Sequence, residues 1–131
     1  MENLGIILLI MAFIFEGLVH GMRNAQVNKT QPNSLLADYG KYWHSLNVVF
    51  LVLLYFGISQ INDVWWIEIL YAAGMRFCVF DYSHNLTFGV NIFYRGETSI
   101  TDRILKKFMP EPFMLMLRAF IIFVVFMDVN S

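Results

Sequence analysis

Long apolar stretches broken by single polar residues run through most of this chain. Four stand out: 4–22, 43–58, 64–80 and 113–127. None is an uninterrupted apolar run. The first contains Glu16 and His20, the second His44 and Asn47, the third Glu68 and Arg76, and the fourth Arg118. Their lengths lie close to the roughly 17 to 25 residues that a bilayer core requires of a helix, and flanking aromatics can extend each by a turn. The pattern predicts an all-α fold, a polytopic membrane protein with four transmembrane helices in a bundle, forming a single membrane domain over residues 1–131.

The intervening segments have a different character. Asn24, Gln26, Asn28 and Gln31-Pro32-Asn33 make the first a turn-prone connector. The link 59–63 is short enough to make the second and third spans antiparallel neighbours. Ser99-Ile100-Thr101-Asp102 resembles a capping box opening a short helix over 100–108. On that helix Ile100, Ile104, Leu105 and Phe108 share a face opposite Arg103, Lys106 and Lys107, and Pro110 and Pro112 follow it. An amphipathic helix of this kind before the last span is expected to lie on the membrane surface. Gly17 and Gly21 form a small-xxx-small pair, and Ala72-Ala73-Gly74 a second smooth patch, both suited to close helix packing.

Composition sharpens the class. Of 131 residues, 58% are apolar or aromatic and only 15% charged, and the mean hydropathy is +0.58. A disordered tail, a solvated linker and a nucleic-acid-binding domain are excluded, because too little charge is spread over too much apolar surface. The formal net charge of −1 points to no acidic or basic partner. Cys78 is the only cysteine, so no intramolecular disulfide can form, and an inert buried thiol is expected. The stretch from Leu4 to Phe15 lacks the basic n-region and small-residue cleavage site of a secretory signal and reads as a retained span.

The placement of charges predicts topology. With the N-terminus on one side, the opposite side collects Arg23, Lys29, Lys41, Arg95, Arg103, Lys106 and Lys107, whereas the first holds only Glu2, Asp63 and Asp128. The positive-inside rule then puts a multi-pass chain in the cell membrane with both termini outside and the main loops in the cytoplasm. Tyr39, Tyr42 and Trp43 would belt one interface, and Tyr55, Trp65 and Trp66 the other. The sequons at Asn28 and Asn85 fall on the cytoplasmic side and read as chance matches.

Chemistry concentrates near the cytoplasmic edge. At about 1.5 Å per residue, Glu16, Arg76 and Arg118 lie roughly 7 to 9 Å inside it on three helices, with His20, His44, Asp81 and His84 closer to it. One reading is a metal site for zinc or iron held by Glu16, His20, His44, Asp81 and His84, with Arg76 and Arg118 binding an anionic group of a lipid or lipid-linked substrate. Haem ligation by facing histidines is another option. A second reading is a non-catalytic anchor or assembly subunit in which Glu16 is neutralised by Arg118 or Arg76, since an unpaired charge at the bilayer centre costs about 2.5 to 3.5 kcal/mol. A homo-oligomeric pore or holin-like protein is a third. It is disfavoured because the polar residues gather at one level instead of lining a helix from end to end. Other membrane partners are compatible with all three. Glu68 stands apart, near the opposite face, where no cation is available.

Overall fold

A computed structural model describes residues 2–27, 37–61, 65–94 and 100–129. Every regular element among them is helical: α1 (Glu2–Val27), a 3-10 turn (Ala37–Tyr42), α2 (Trp43–Ser59), α3 (Trp65–Phe88), α4 (Ile100–Phe108) and α5 (Glu111–Val129). The expected elements appear, with longer first and third helices. α1 passes Met22 to reach Val27, and α3 continues two turns beyond Phe80, which brings Asp81 and His84 into the helix. Ser99 of the expected capping box, the Gln31-Pro32-Asn33 connector and the Asn28 sequon lie outside the described residues.

Helix ends follow local chemistry. α3 stops at Gly89, whose φ of 84° is open to glycine without strain, and the Gly89 and Val90 amides both close on the Asn85 carbonyl at 3.1 and 3.2 Å. α5 starts behind Pro110, with Pro112 in a first turn where a missing N–H costs nothing.

α1 is the hub. It packs against α2 on one side and α3 on another, while α5 packs mainly on α3. Gly5 of α1 abuts Gly57 and Ile61, whereas His20 lies against Trp43, so α1 and α2 are antiparallel. Glu16 meets Arg76, Gly17 meets Phe80 and Ser83, and Gly21 meets His84 and Thr87, so α1 and α3 run parallel. α5 is antiparallel to α3, pairing Arg118 with Asp81, Ile121 with Gly74 and Asp128 with Tyr71. A core of Ile6, Leu9, Phe13, Tyr71, Met75 and Val125 joins α1, α3 and α5, and Ile61 closes it beside α2.

Both small-residue patches are packing surfaces. At Gly17 and Gly21 the α1 and α3 backbones approach so closely that a Cβ would strike the carbonyl oxygens of Phe80 and His84. Thr87 Oγ1 uses that proximity to donate a hydrogen bond to the Leu18 carbonyl across the helices, at 2.8 Å.

The outer surface is apolar. Val48, Val49, Leu51, Val52 and Phe56 are exposed along α2, as are Phe113, Met116, Phe120, Phe123 and Met127 along α5. Soluble monomers rarely expose contiguous apolar area on this scale. Two helices among the described residues are long and apolar enough to cross a membrane, Asn3–Val27 and Tyr39–Ser59, with mean hydropathies of 2.2 and 1.4. The four spans expected from sequence therefore reduce to two on this criterion. α3 is interrupted by Glu68, Arg76 and Asp81, and α5 by Glu111, Arg118 and Asp128.

Candidate functional site

His20, His44, Asp81 and His84 fall towards the end of the bundle where α1 and α3 finish and α2 and α5 begin, whereas Glu16, Arg76 and Arg118 lie near the middle of their helices and Glu68 towards the opposite end. Three separate arrangements result. The first is an ion pair across the α1–α3 seam. Arg76 donates from Nε to Glu16 Oε2 at 3.0 Å and from Nη2 to Oε1 at 3.4 Å, and its guanidinium lies over the Phe80 ring. Glu16 is the more enclosed partner, 13% exposed against 47% for Arg76.

The second lies on the α3–α5 seam. Arg118 Nη2 donates to Asp81 Oδ2 at 2.8 Å. Here the cation is the buried partner, its side chain 6% exposed against 51% for Asp81, and it is flanked by the rings of Phe77 and Tyr82. Cys78 is buried, as expected, and donates weakly to the Arg118 carbonyl. Tyr82 reaches Glu111 at 3.3 Å.

The third arrangement centres on His84. Asn24 Nδ2 and His84 Nε2 are 2.9 Å apart, and because an amide NH2 can only donate, Nε2 accepts. The ring proton then sits on Nδ1, which points to Asn85 Oδ1 at 3.4 Å. The Asn85 amide donates onward to the Ile92 and Tyr94 carbonyls at 3.0 and 2.6 Å, tying the segment after α3 back to the helix. Phe80 and Phe88 cover the imidazole. Burial pushes the His84 pKa below the ordinary imidazole range, His20 adding to the shift while the Asn85 bond and Asp81 oppose it. The Asn85 sequon is structural, since Asn85 is buried and its amide fully occupied.

The remaining histidines serve in ring contacts. His44 stacks on Trp43 with centroids 3.7 Å apart, Arg23 lies 4.1 Å from the Trp43 ring centroid, and His20 packs edge-on between Trp43 and Phe80.

These arrangements correct the single pocket expected from depth. Arg76 and Asp81 are five residues apart on α3, about 140° around the axis at 3.6 residues per turn, so they face different neighbours. Arg118 pairs with Asp81 and not with Glu16. Among the described residues no three of the His, Cys, Asp and Glu side chains converge as a metal would require. Glu16 is held by Arg76, Asp81 by Arg118, and both ring nitrogens of His84 are engaged within α1 and α3. The guanidiniums of Arg76 and Arg118, expected to bind an anionic group, are matched by internal carboxylates.

Sequence reasoning missed Asn24 and Asn85. The pairing of Tyr71 with Asp128 was missed too. Asn24 lies one turn beyond His20 on α1, and that i, i+4 spacing was the available signal. Compared with known proteins, the chain matches no family model, no curated protein and no solved structure, so fold and side-chain geometry carry the functional reading.

Proposed function

We propose that the chain is a multi-pass membrane protein in which α1, α2, α3 up to about residue 80, and α5 cross the bilayer, and that it acts as a non-catalytic anchor or assembly subunit. The observation that carries this reading is the private pairing of the two in-span arginines, Arg76 with Glu16 and Arg118 with Asp81. Such pairs let polar residues coexist with lipid and fix which helices become neighbours.

Three features support the four-span arrangement. The alternating helix directions bring Arg23, Lys41, Arg103, Lys106 and Lys107 to one end, in keeping with a cytoplasmic face there. Tyr55, Trp65 and Trp66 are exposed at the other end, and Tyr39 and Tyr42 at the cationic end, as interfacial belts would be. On α4, Ile104 and Phe108 are exposed beside exposed Arg103, Lys106 and Lys107, which suits a helix lying on an anionic leaflet.

Alkaline extraction of membranes carrying the full chain tests the location, which requires retention in the pellet. Labelling of single cysteines at Gln60 and Lys107 in a Cys78→Ser background tests topology, with opposite-side accessibility expected. Same-side labelling overturns the four-span reading. Stoichiometric zinc or iron in protein purified without chelators, lost on joint replacement of His20, His44 and His84, overturns the non-catalytic one.

A further inference from the structure

At the end of the bundle away from the histidines, a groove runs over α1 between α2 and α3. Phe13, Ile58, Ala72 and Ala73 give it an almost wholly apolar lining, with Glu68 at one end and Arg76 at the other. Its volume is about 310 Å³. Glu68 and Arg76 are eight residues apart, about 12 Å along the axis, so the groove offers an apolar track along which part of one acyl chain can lie.

The charges at the two ends differ in one respect. Arg76 is satisfied by Glu16. Glu68 makes no hydrogen bond or ion pair among the described residues, although it is half-buried against apolar walls. It sits one turn, about 4.5 Å, inside the exposed Trp65 that marks the interface in the membrane reading. A carboxylate without a partner among the described residues, at headgroup depth beside an apolar groove, is complementary to a cation carried on a lipid.

We infer that this groove holds one phospholipid with a primary ammonium headgroup, the ammonium on Glu68 and one acyl chain lying over Ala72 and Ala73 toward Arg76. An ethanolamine-type ammonium donates up to three hydrogen bonds to a carboxylate, whereas a quaternary choline headgroup donates none and a glycerol headgroup brings no positive charge. The inference rests on the membrane reading above.

Native mass spectrometry of the delipidated full chain, supplied in turn with phosphatidylethanolamine, phosphatidylcholine and phosphatidylglycerol of matched chains, tests it. Retention of the ethanolamine lipid is expected to exceed that of the others about tenfold, as one charge-assisted hydrogen bond supplies. Glu68→Gln should remove that preference, Glu68→Asp should keep part of it, and Ala73→Phe should lower retention of all three lipids. Equal retention by the unaltered chain, or a preference that survives Glu68→Gln, overturns the inference. So does a dimer that dissociates on Ala73→Phe, which would assign the groove to a second copy. If alkaline extraction releases the chain, the membrane reading falls with it; if the chain stays in the membrane while Glu68→Gln changes nothing, only the lipid site falls.

Discussion

The α1–α3 seam offers the sharpest test of how this fold holds together, because two glycines leave no room for a methyl group. A Cβ at position 17 would lie 2.5 Å from the Phe80 carbonyl oxygen, and one at 21 would lie 2.3 Å from that of His84, against about 3.4 Å for an ordinary contact. Gly17→Ala or Gly21→Ala must therefore part the two backbones by about 1 Å, since neither obstacle is a side chain that can rotate away. Overpacking of this kind costs about 1 to 3 kcal/mol. The same displacement carries the 2.8 Å Thr87–Leu18 hydrogen bond out of range. Its loss adds about 0.6 kcal/mol on the average measured for interhelical bonds in membranes, and about 1.7 kcal/mol at most. We expect each substitution to destabilise the protein by about 2 to 4 kcal/mol in reversible detergent unfolding followed by tryptophan fluorescence. Gly74→Ala is the control, for its Cβ meets only the Ile121 methyl group at 3.3 Å and should cost less than about 1 kcal/mol. Adding Ser83→Ala to Gly17→Ala should restore little, as the Phe80 carbonyl remains in the way. Near-native stability of both seam variants, or an equal loss at Gly74, would refute the close-approach argument.

Pairing makes further predictions. Glu16→Gln should lower the yield of folded protein, and Arg76→Leu added to it should recover part of the loss while Arg118→Leu should not, a contrast read by thermal melts of the single and double variants. Asp81→Asn strands a buried guanidinium, whereas Arg118→Met leaves a half-exposed carboxylate and an apolar side chain of similar length. The first should therefore be more damaging by about 1 to 3 kcal/mol, and equal melting temperatures would contradict that order. For His84, four residues beyond the apolar stretch of α3, the folded state favours the neutral ring, so the unfolded chain binds more protons as pH falls below the ordinary imidazole value of about 6.5. Its contribution to stability is complete above that pH and declines as pH drops toward the lowered folded value. Protonation also forces Nε2 to face the Asn24 amide as a second donor. A melting curve whose decline below about pH 6.5 is unchanged in His84→Gln would rule this out.

How far the sequence alone reached follows from what depth and direction each require. Apolar runs and punctuation located every α-helix among the described residues, including α4 at Ile100–Phe108, because those signals are local, but Asn24 and Gln26, read as connector, continue α1, and the 3-10 turn at Ala37–Tyr42 was not foreseen. Counting residues inward from a span's edge also put Glu16 and Arg76 at comparable heights and the histidines nearer one end of the bundle, since a helix converts position into height at a constant rise. Height does not specify azimuth. Whether Arg118 faces Glu16 or Asp81 depends on which face of α3 each neighbour occupies, and that is decided by where backbones can approach most closely. Gly17 and Gly21 set one face of α3 against α1, which aims Arg76 at Glu16. Gly74 lets Ile121 approach from another direction, and Asp81, on the α5 side, is left to neutralise Arg118. Had the glycines been read as determinants of which side chains can meet, the two pairs would have followed from the sequence. The ionisable residues at this end are thus better explained as consequences of helix packing than as ligands gathered for a common centre. A substitution that re-aims α3, such as Gly21→Ala, should disturb the Glu16–Arg76 pair without touching either residue. Non-additive melting temperatures in the Gly21→Ala, Arg76→Leu double variant would reveal that link, and strict additivity would show that the pair forms independently of the seam.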